Sequence, residues 1–120
     1  MRISRREFEE LVWAAMDALP EAITQRVQNV EVLVKYAPAQ GQLEGDEEDL
    51  FGFYEGIPLT ERTTHYEMVA PDVITIFQRA HEAHCATLAC LREEVSRTLR
   101  HELAHYFGID DDRLEELGAY

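Results

Sequence analysis

The stretch from about residue 86 to residue 107 has the strongest helical pattern in the chain, and it limits what the rest can fold into. At about 100° per residue, five of its apolar side chains share one stripe. The stripe consists of Leu88, Leu91, Val95, Leu99 and Tyr106. Such a stripe has to be buried, and we expect it to pack on a sheet. His101 and His105 lie about 100° from its centre, at the edge of the buried face.

Residues 101–105 of this helix read His-Glu-x-x-His. Side chains four residues apart lie on one helical face, so the imidazoles of His101 and His105 can both reach one metal ion. Glu102 lies between them, where a carboxylate can accept a proton from the ion's water. Zinc lowers the pKa of that water to about 7. The pattern is typical of a zinc hydrolase when it lies on a helix. A solvated helix end that matches by chance is the alternative interpretation.

The pattern continues as His-x-x-Gly-x-x-Asp, with Gly108 three residues after His105 and Asp111 three residues after Gly108. A glycine can adopt a left-handed conformation and end the helix sharply, so the chain can turn back and offer a third ligand. Metzincins usually place a histidine at this third position. A carboxylate oxygen is also an acceptable zinc ligand, and we predict that Asp111 fills this role. Asp110 and Asp112 could equally be N-cap or first-turn residues of a last helix.

The length and charge of the chain exclude several classes of protein. A chain of 120 residues is expected to form a single domain over residues 1–120, and 46% hydrophobic residues suffice for a real core. The net charge of −13 argues against a nucleic-acid partner and against an anionic membrane surface, since both need clustered Lys and Arg. We interpret the acidity as a source of solubility.

Two observations favour a cytoplasmic protein. Cys85 and Cys90, if both lie on one helix, point in directions about 140° apart and cannot bridge, so we expect reduced thiols. The first 20 residues mix arginines with acidic residues and do not resemble a signal peptide.

The N-terminal part of the chain predicts helices. Ser4 and Glu7 have the spacing of a capping box, and a helix is expected over residues 5–18. Its apolar stripe is Phe8, Leu11, Val12, Ala15 and Leu19. Trp13 is expected in the core with the stripe. Pro20 ends this helix and begins another turn over residues 21–28.

Three later segments predict strands. Residues 30–36 alternate and are rich in β-branched side chains, residues 50–54 form a shorter strand, and residues 73–77 are apolar enough to be central. Residues 37–49 form a loop whose acidic residues lack the spacing of a calcium-binding loop. Residues 56–62 form a further turn and loop.

His81, His84 and Cys85 lie close together just before the long helix, and residues 79–84 are expected to lead into it. Nothing in the sequence supplies a fourth ligand at a familiar spacing. We therefore expect histidines at the surface or at a helix start rather than a second metal site.

The segments Gly-Ile-Pro-Leu-Thr-Glu-Arg at residues 56–62 and His101 to Leu117 resemble a family of small bacterial zincin-like proteins, described as minimal metallopeptidases. The resemblance extends over most of the chain. It implies a small sheet and an active-site helix, with His101, His105 and Asp111 as zinc ligands and Glu102 as the general base.

These observations predict an α+β domain with N-terminal helices, a three- or four-stranded sheet and a long metal-binding helix. The expected function is zinc-dependent hydrolysis of peptide bonds, with Zn²⁺ as cofactor and a peptide or protein as substrate. One alternative is a zincin-shaped regulatory module that binds zinc without catalysis, since the methionine turn of metzincins has no counterpart after Met68. The other is an acidic interaction domain without a metal.

Overall fold

The fold is α+β, as predicted. The computed structural model describes residues 1–39, 50–57 and 71–108. In chain order, the described elements are α1 (Arg5–Asp17), α2 (Glu21–Thr24), β1 (Val30–Lys35), β2 (Gly52–Glu55), β3 (Asp72–Phe77), α3 (Gln78–His84) and α4 (Leu88–Tyr106). Residues 40–49 of the predicted loop and residues 58–62 lie outside the described ranges. No helix in those ranges has both the length and the apolar character needed to cross a membrane.

The described strands form one mixed sheet in the order β1-β3-β2. β3 is central, as its apolar sequence predicted. It pairs parallel with β1, where Val32 lies opposite Ile74, and antiparallel with β2, where Gly52 lies opposite Ile76. The second strand begins at Gly52, two residues later than predicted, although Phe51 still accepts a hydrogen bond from the backbone N–H of Phe77 at 2.9 Å.

One hydrophobic core joins α1, β3 and α4. Its buried members are Phe8, Val12, Ala15, Ile74, Ile76, Val95, Leu99 and Leu103. Ile74 and Ile76 point to the same face of the sheet because side chains alternate along a strand. Helix α1 begins with the predicted capping box between Ser4 and Glu7. The prediction for Trp13 was wrong: its side chain is 55% exposed, because it lies beside the buried stripe rather than on it.

Helix α4 buries most of the predicted stripe, including Leu91, Val95, Leu99 and Tyr106. The exception is Leu88, which is exposed in the first turn, before the helix reaches the sheet. Thr87 is the N-cap, and its side chain accepts a hydrogen bond from the backbone N–H of Cys90 at 3.1 Å. The helix therefore begins slightly later than expected.

Residues 79–84 do not lead directly into α4. They belong to a separate helix, α3, which ends at His84 before α4 begins at Leu88. The prediction of a surface position holds for His84, which is exposed, but it was wrong for His81, which is fully buried.

The break between the two helices also corrects the prediction for the cysteines. Cys85 follows α3 in extended conformation, while Cys90 lies in the first turn of α4. Their Cα atoms are 5.4 Å apart and the two residues form a disulfide bond. The angular argument failed because it placed both residues on one helix. Reduced cysteines therefore no longer support the predicted cytoplasmic location.

Candidate metal centre

Three side chains of α4 form a compact group of potential metal ligands. One ligand atom from each of His101, Glu102 and His105 lies within 4.8 Å of the other two. The Nε2 atoms of the two histidines are 3.1 Å apart, and the Glu102 carboxylate lies 4.0 Å from Nε2 of His101. The histidines are half-buried and Glu102 is 7% exposed. The helix thus holds both imidazoles at the edge of its buried face, as the sequence predicted.

The spacing of the two histidine nitrogens fits a shared zinc ion. Two nitrogens at 2.0–2.1 Å from a tetrahedral zinc are roughly 3.3 Å apart. The 3.1 Å between the Nε2 atoms of His101 and His105 therefore needs only a small adjustment. Both nitrogens have to be unprotonated to bind a metal, which the neutral imidazole allows. The donor set, two imidazoles beside a carboxylate, is one that zinc accepts.

The turn that should deliver the third ligand begins as predicted. Helix α4 ends at Tyr106, and Gly108 has a φ of 87°, in the left-handed region. The backbone N–H of Gly108 donates to the carbonyl of His105 at 2.9 Å. Gly108 thus has the left-handed conformation that the sequence predicted for the end of the helix, three residues after the second histidine. Asp111 lies outside the described residues, so its role as third ligand stays a prediction.

The side chain of Glu102 packs against strand β2 at Gly52. A Cβ atom placed on Gly52 would lie 3.1 Å from Cγ of Glu102 and 2.8 Å from Cγ2 of Thr98. Thr98 precedes Glu102 by one helical turn and is likewise buried. The glutamate stem therefore packs directly on the glycine backbone.

The buried side chain of His81 contacts this part of α4 through a hydrogen bond to Thr98. Nδ1 of His81 lies 2.7 Å from the carbonyl oxygen of Phe77, so Nδ1 carries the proton and donates it. Nε2 then accepts a hydrogen bond from the Thr98 hydroxyl at 2.8 Å. Burial lowers the pKa of His81 from its ordinary value of 6.5, while the bond to Phe77 acts in the opposite direction. The neutral imidazole thus links α3 to α4.

Tyr106 belongs to the core, as its position on the helical wheel predicted. Its hydroxyl accepts a hydrogen bond from the backbone N–H of Gln28 at 3.1 Å and lies 3.3 Å from the Gln28 carbonyl, to which it donates. These bonds fix the last turn of α4 against the segment before β1.

No second cluster of metal-ligating side chains occurs in the ranges 1–39, 50–57 and 71–108. Both ring nitrogens of His81 are occupied, and Cys85 is in the disulfide.

The sequence analysis missed Gly52, Thr98 and His81 as parts of the site. A glycine inside a strand pattern is a known signal of close backbone approach and could have singled out Gly52. No comparable signal exists for Thr98 and His81, because their contact joins residues 17 positions apart in different helices.

Comparison with known proteins identifies the family of the chain and a solved structure of similar fold. The chain matches the zincin-like metallopeptidase family over residues 27–119, and it belongs to that family. A solved structure of a conserved hypothetical protein from Thermus thermophilus has a similar fold, with a TM-score of 0.53 and 22% sequence identity. The alignment covers 96% of this chain and 97% of the other. No curated protein matches the sequence.

Proposed function

We propose that the protein is a zinc-dependent peptidase whose site is built on α4. The observation that carries the proposal is the group formed by His101, Glu102 and His105 in a chain of the zincin-like metallopeptidase family. His101 and His105 would hold the zinc ion through Nε2, with Asp111 as third ligand. Zinc bound there supplies a Lewis acid that polarises a carbonyl group and lowers the pKa of water to about 7.

Glu102 is the general base in this proposal. Its carboxylate lies 4.0 Å from Nε2 of His101, beside the place where an ion shared by the two histidines would lie. There it can accept a proton from the attacking water and later deliver it to the leaving amine. The side chain is nearly buried, so its orientation is set by packing rather than by solvent.

The substrate in this proposal is a peptide in extended conformation. An extended peptide can add to the edge of a sheet through backbone hydrogen bonds, and β2 lies directly against α4. A peptide held beside this helix would bring a scissile carbonyl to the two histidines.

The proposal is tested by metal analysis followed by a peptide-library digest. The protein should be prepared without a histidine tag, loaded with zinc, desalted and analysed for metal content. We expect one zinc per chain and cleavage that a chelator abolishes. Zinc binding without any cleavage across the library would favour the non-catalytic module, and absence of zinc would favour the acidic interaction domain.

A further inference from the structure

We propose that Gly52 is a positioning residue for Glu102, and that Thr98 and His81 hold α4 at the distance from β2 that this role requires. This inference rests on the proposed function for its meaning in catalysis. The contacts behind it can be tested without any activity.

The first observation is the absence of space at Gly52. A Cβ atom there would lie 2.8 Å from Cγ2 of Thr98, 3.1 Å from Cγ of Glu102 and 3.3 Å from the carbonyl oxygen of Thr75. The first distance is an overlap between carbon atoms, and the second is tighter than ordinary van der Waals contact. A side chain at position 52 therefore displaces the side chain of Thr98, that of Glu102, or both.

The second observation is that Thr98 cannot move aside cheaply. Its hydroxyl donates to Nε2 of the buried His81 at 2.8 Å, which fixes the χ1 rotamer of this β-branched residue. With the hydroxyl fixed, the methyl group has one position, and that position faces Gly52. His81 is itself held by the Phe77 carbonyl and by ring contacts with Phe8 and Phe51.

The third observation is that a glycine inside a strand lowers the stability of the fold. Glycine inside a strand loses more conformational entropy than other residues and offers no side chain for packing. Gly52 is nevertheless a paired residue of β2, opposite Ile76 and buried. The close approach of α4 explains the glycine, and it lets the Glu102 stem lie on the sheet with its carboxylate beside His101.

The side chain of Thr98 carries a methyl group and a hydroxyl group, and each can be removed by a separate substitution. Gly52→Ala introduces the methyl group that overlaps Thr98. Thr98→Ser removes the overlapping methyl and keeps the hydroxyl for His81, whereas Thr98→Val keeps a methyl and removes the hydroxyl. The single and double variants at these two positions therefore separate the steric contact from the hydrogen bond.

In the kinetic arm, a misplaced general base should lower kcat of Gly52→Ala by about 10- to 100-fold. KM and zinc affinity should stay within about threefold, because the nearest side chains to the added methyl group are Thr98 and Glu102 and neither is a histidine ligand. Adding Thr98→Ser should restore part of kcat, because the overlap with Thr98 is removed while the contact with Cγ of Glu102 remains, and adding Thr98→Val should restore none. Wild-type kcat in Gly52→Ala, or equal recovery with serine and valine, would overturn the proposal.

In the stability arm, melting temperatures of the metal-free proteins are compared in a double-mutant cycle between positions 52 and 102. Gly52→Ala should lower the melting temperature by about half as much when Glu102 is replaced by Ala, because Cγ is then absent. Glu93→Ala, on the exposed side of α4, is the control and should leave the effect of Gly52→Ala unchanged. Additive effects of Gly52→Ala and Glu102→Ala would overturn the proposal even if the enzyme proved inactive. If positions 52 and 102 are coupled but the protein cleaves no peptide, the contact between Gly52 and Glu102 stands and only the proposed peptidase function is refuted.

Discussion

The Nε2 atoms of His101 and His105 lie 3.1 Å apart on one face of α4. In the absence of a metal, one of these nitrogens can carry a proton and donate it to the other. A divalent ion replaces that proton and draws both lone pairs to one point. Metal binding should therefore depend on both histidines.

The first prediction concerns this pair. His101→Ala combined with His105→Ala should reduce bound zinc from about one per chain to near zero, since two of the three expected ligands are lost. Elemental analysis after zinc loading and desalting measures the ratio. His84→Ala is the control, because His84 lies on α3 and faces Glu94 at 4.0 Å. Unchanged zinc in the double variant would show that the metal binds elsewhere.

The second prediction concerns Glu102. Glu102→Gln should keep zinc and lose hydrolysis by about 10²- to 10⁴-fold, because glutamine has nearly the same shape and cannot accept the proton. Zinc content and the cleavage rate of a peptide that the wild type cuts are measured on the same preparations. Equal rates for the two proteins would show that Glu102 is not the general base.

The outcome of the sequence predictions depended on how local each signal was. The capping box at Ser4, the stripe of α4 and the turn at Gly108 all depend on residues within a few positions of one another, and all were predicted. The disulfide was not predicted, because the sequence around Cys85 contains no glycine or proline that would mark the end of α3. Without that boundary, both cysteines were placed on one helix.

The periodicity of apolar residues in the sequence could not predict the tertiary contacts around Glu102. His81 was expected at the surface because nothing near it in sequence reveals its partner, Thr98, on another helix. Trp13 was expected in the core and is exposed, because a large apolar side chain beside a buried stripe can remain at the surface.

The third prediction concerns His81. Burial lowers its pKa, so the folded protein keeps it neutral at a pH where the unfolded chain, with a pKa near 6.5, becomes protonated. The unfolded state then binds more protons, and the free energy of unfolding falls as the pH drops below about 6.5. This group alone can contribute at most about 1.4 kcal/mol per pH unit.

His81→Phe is the matched variant for this effect. It keeps a ring beside Phe8 and Phe51 but cannot titrate. We expect it to be less stable by about 1–3 kcal/mol at pH 7, because the Thr98 hydroxyl and the Phe77 carbonyl lose their partner. Its stability should change less between pH 7 and pH 5 than that of the wild type, as measured by urea unfolding of metal-free protein at several pH values. Parallel pH profiles for the two proteins would contradict the assigned role of His81.

The fourth prediction concerns the disulfide between Cys85 and Cys90. Closing this short loop in the unfolded chain should stabilise the fold by about 2 kcal/mol. Reductant should therefore lower the free energy of unfolding of the wild type by that amount and leave Cys85→Ala combined with Cys90→Ala unchanged. Urea unfolding with and without reductant measures the difference. Alkylation of both thiols in unreduced, denatured protein would show that the bond is absent.

The fifth prediction concerns the third ligand. Three aspartates follow the turn at Gly108, and the spacing of the extended motif selects Asp111 among them. Asp110 and Asp112 are expected in the first turn of a last helix, where a carboxylate meets the positive end of the helix dipole. Asp111→Ala should therefore weaken zinc binding much more than Asp110→Ala or Asp112→Ala, each of which should cost about 0.3–1 kcal/mol of stability.

Competition with a chelating dye at fixed pH gives the zinc affinities of the three single variants. Thermal unfolding of the same proteins without metal separates loss of a ligand from loss of fold. Asp111→Asn adds a second control, because an amide oxygen has nearly the same shape but is a weaker zinc ligand than a carboxylate. A greater loss of zinc affinity in Asp110→Ala or Asp112→Ala than in Asp111→Ala would overturn the assignment, since the motif allows one offset from Gly108 only.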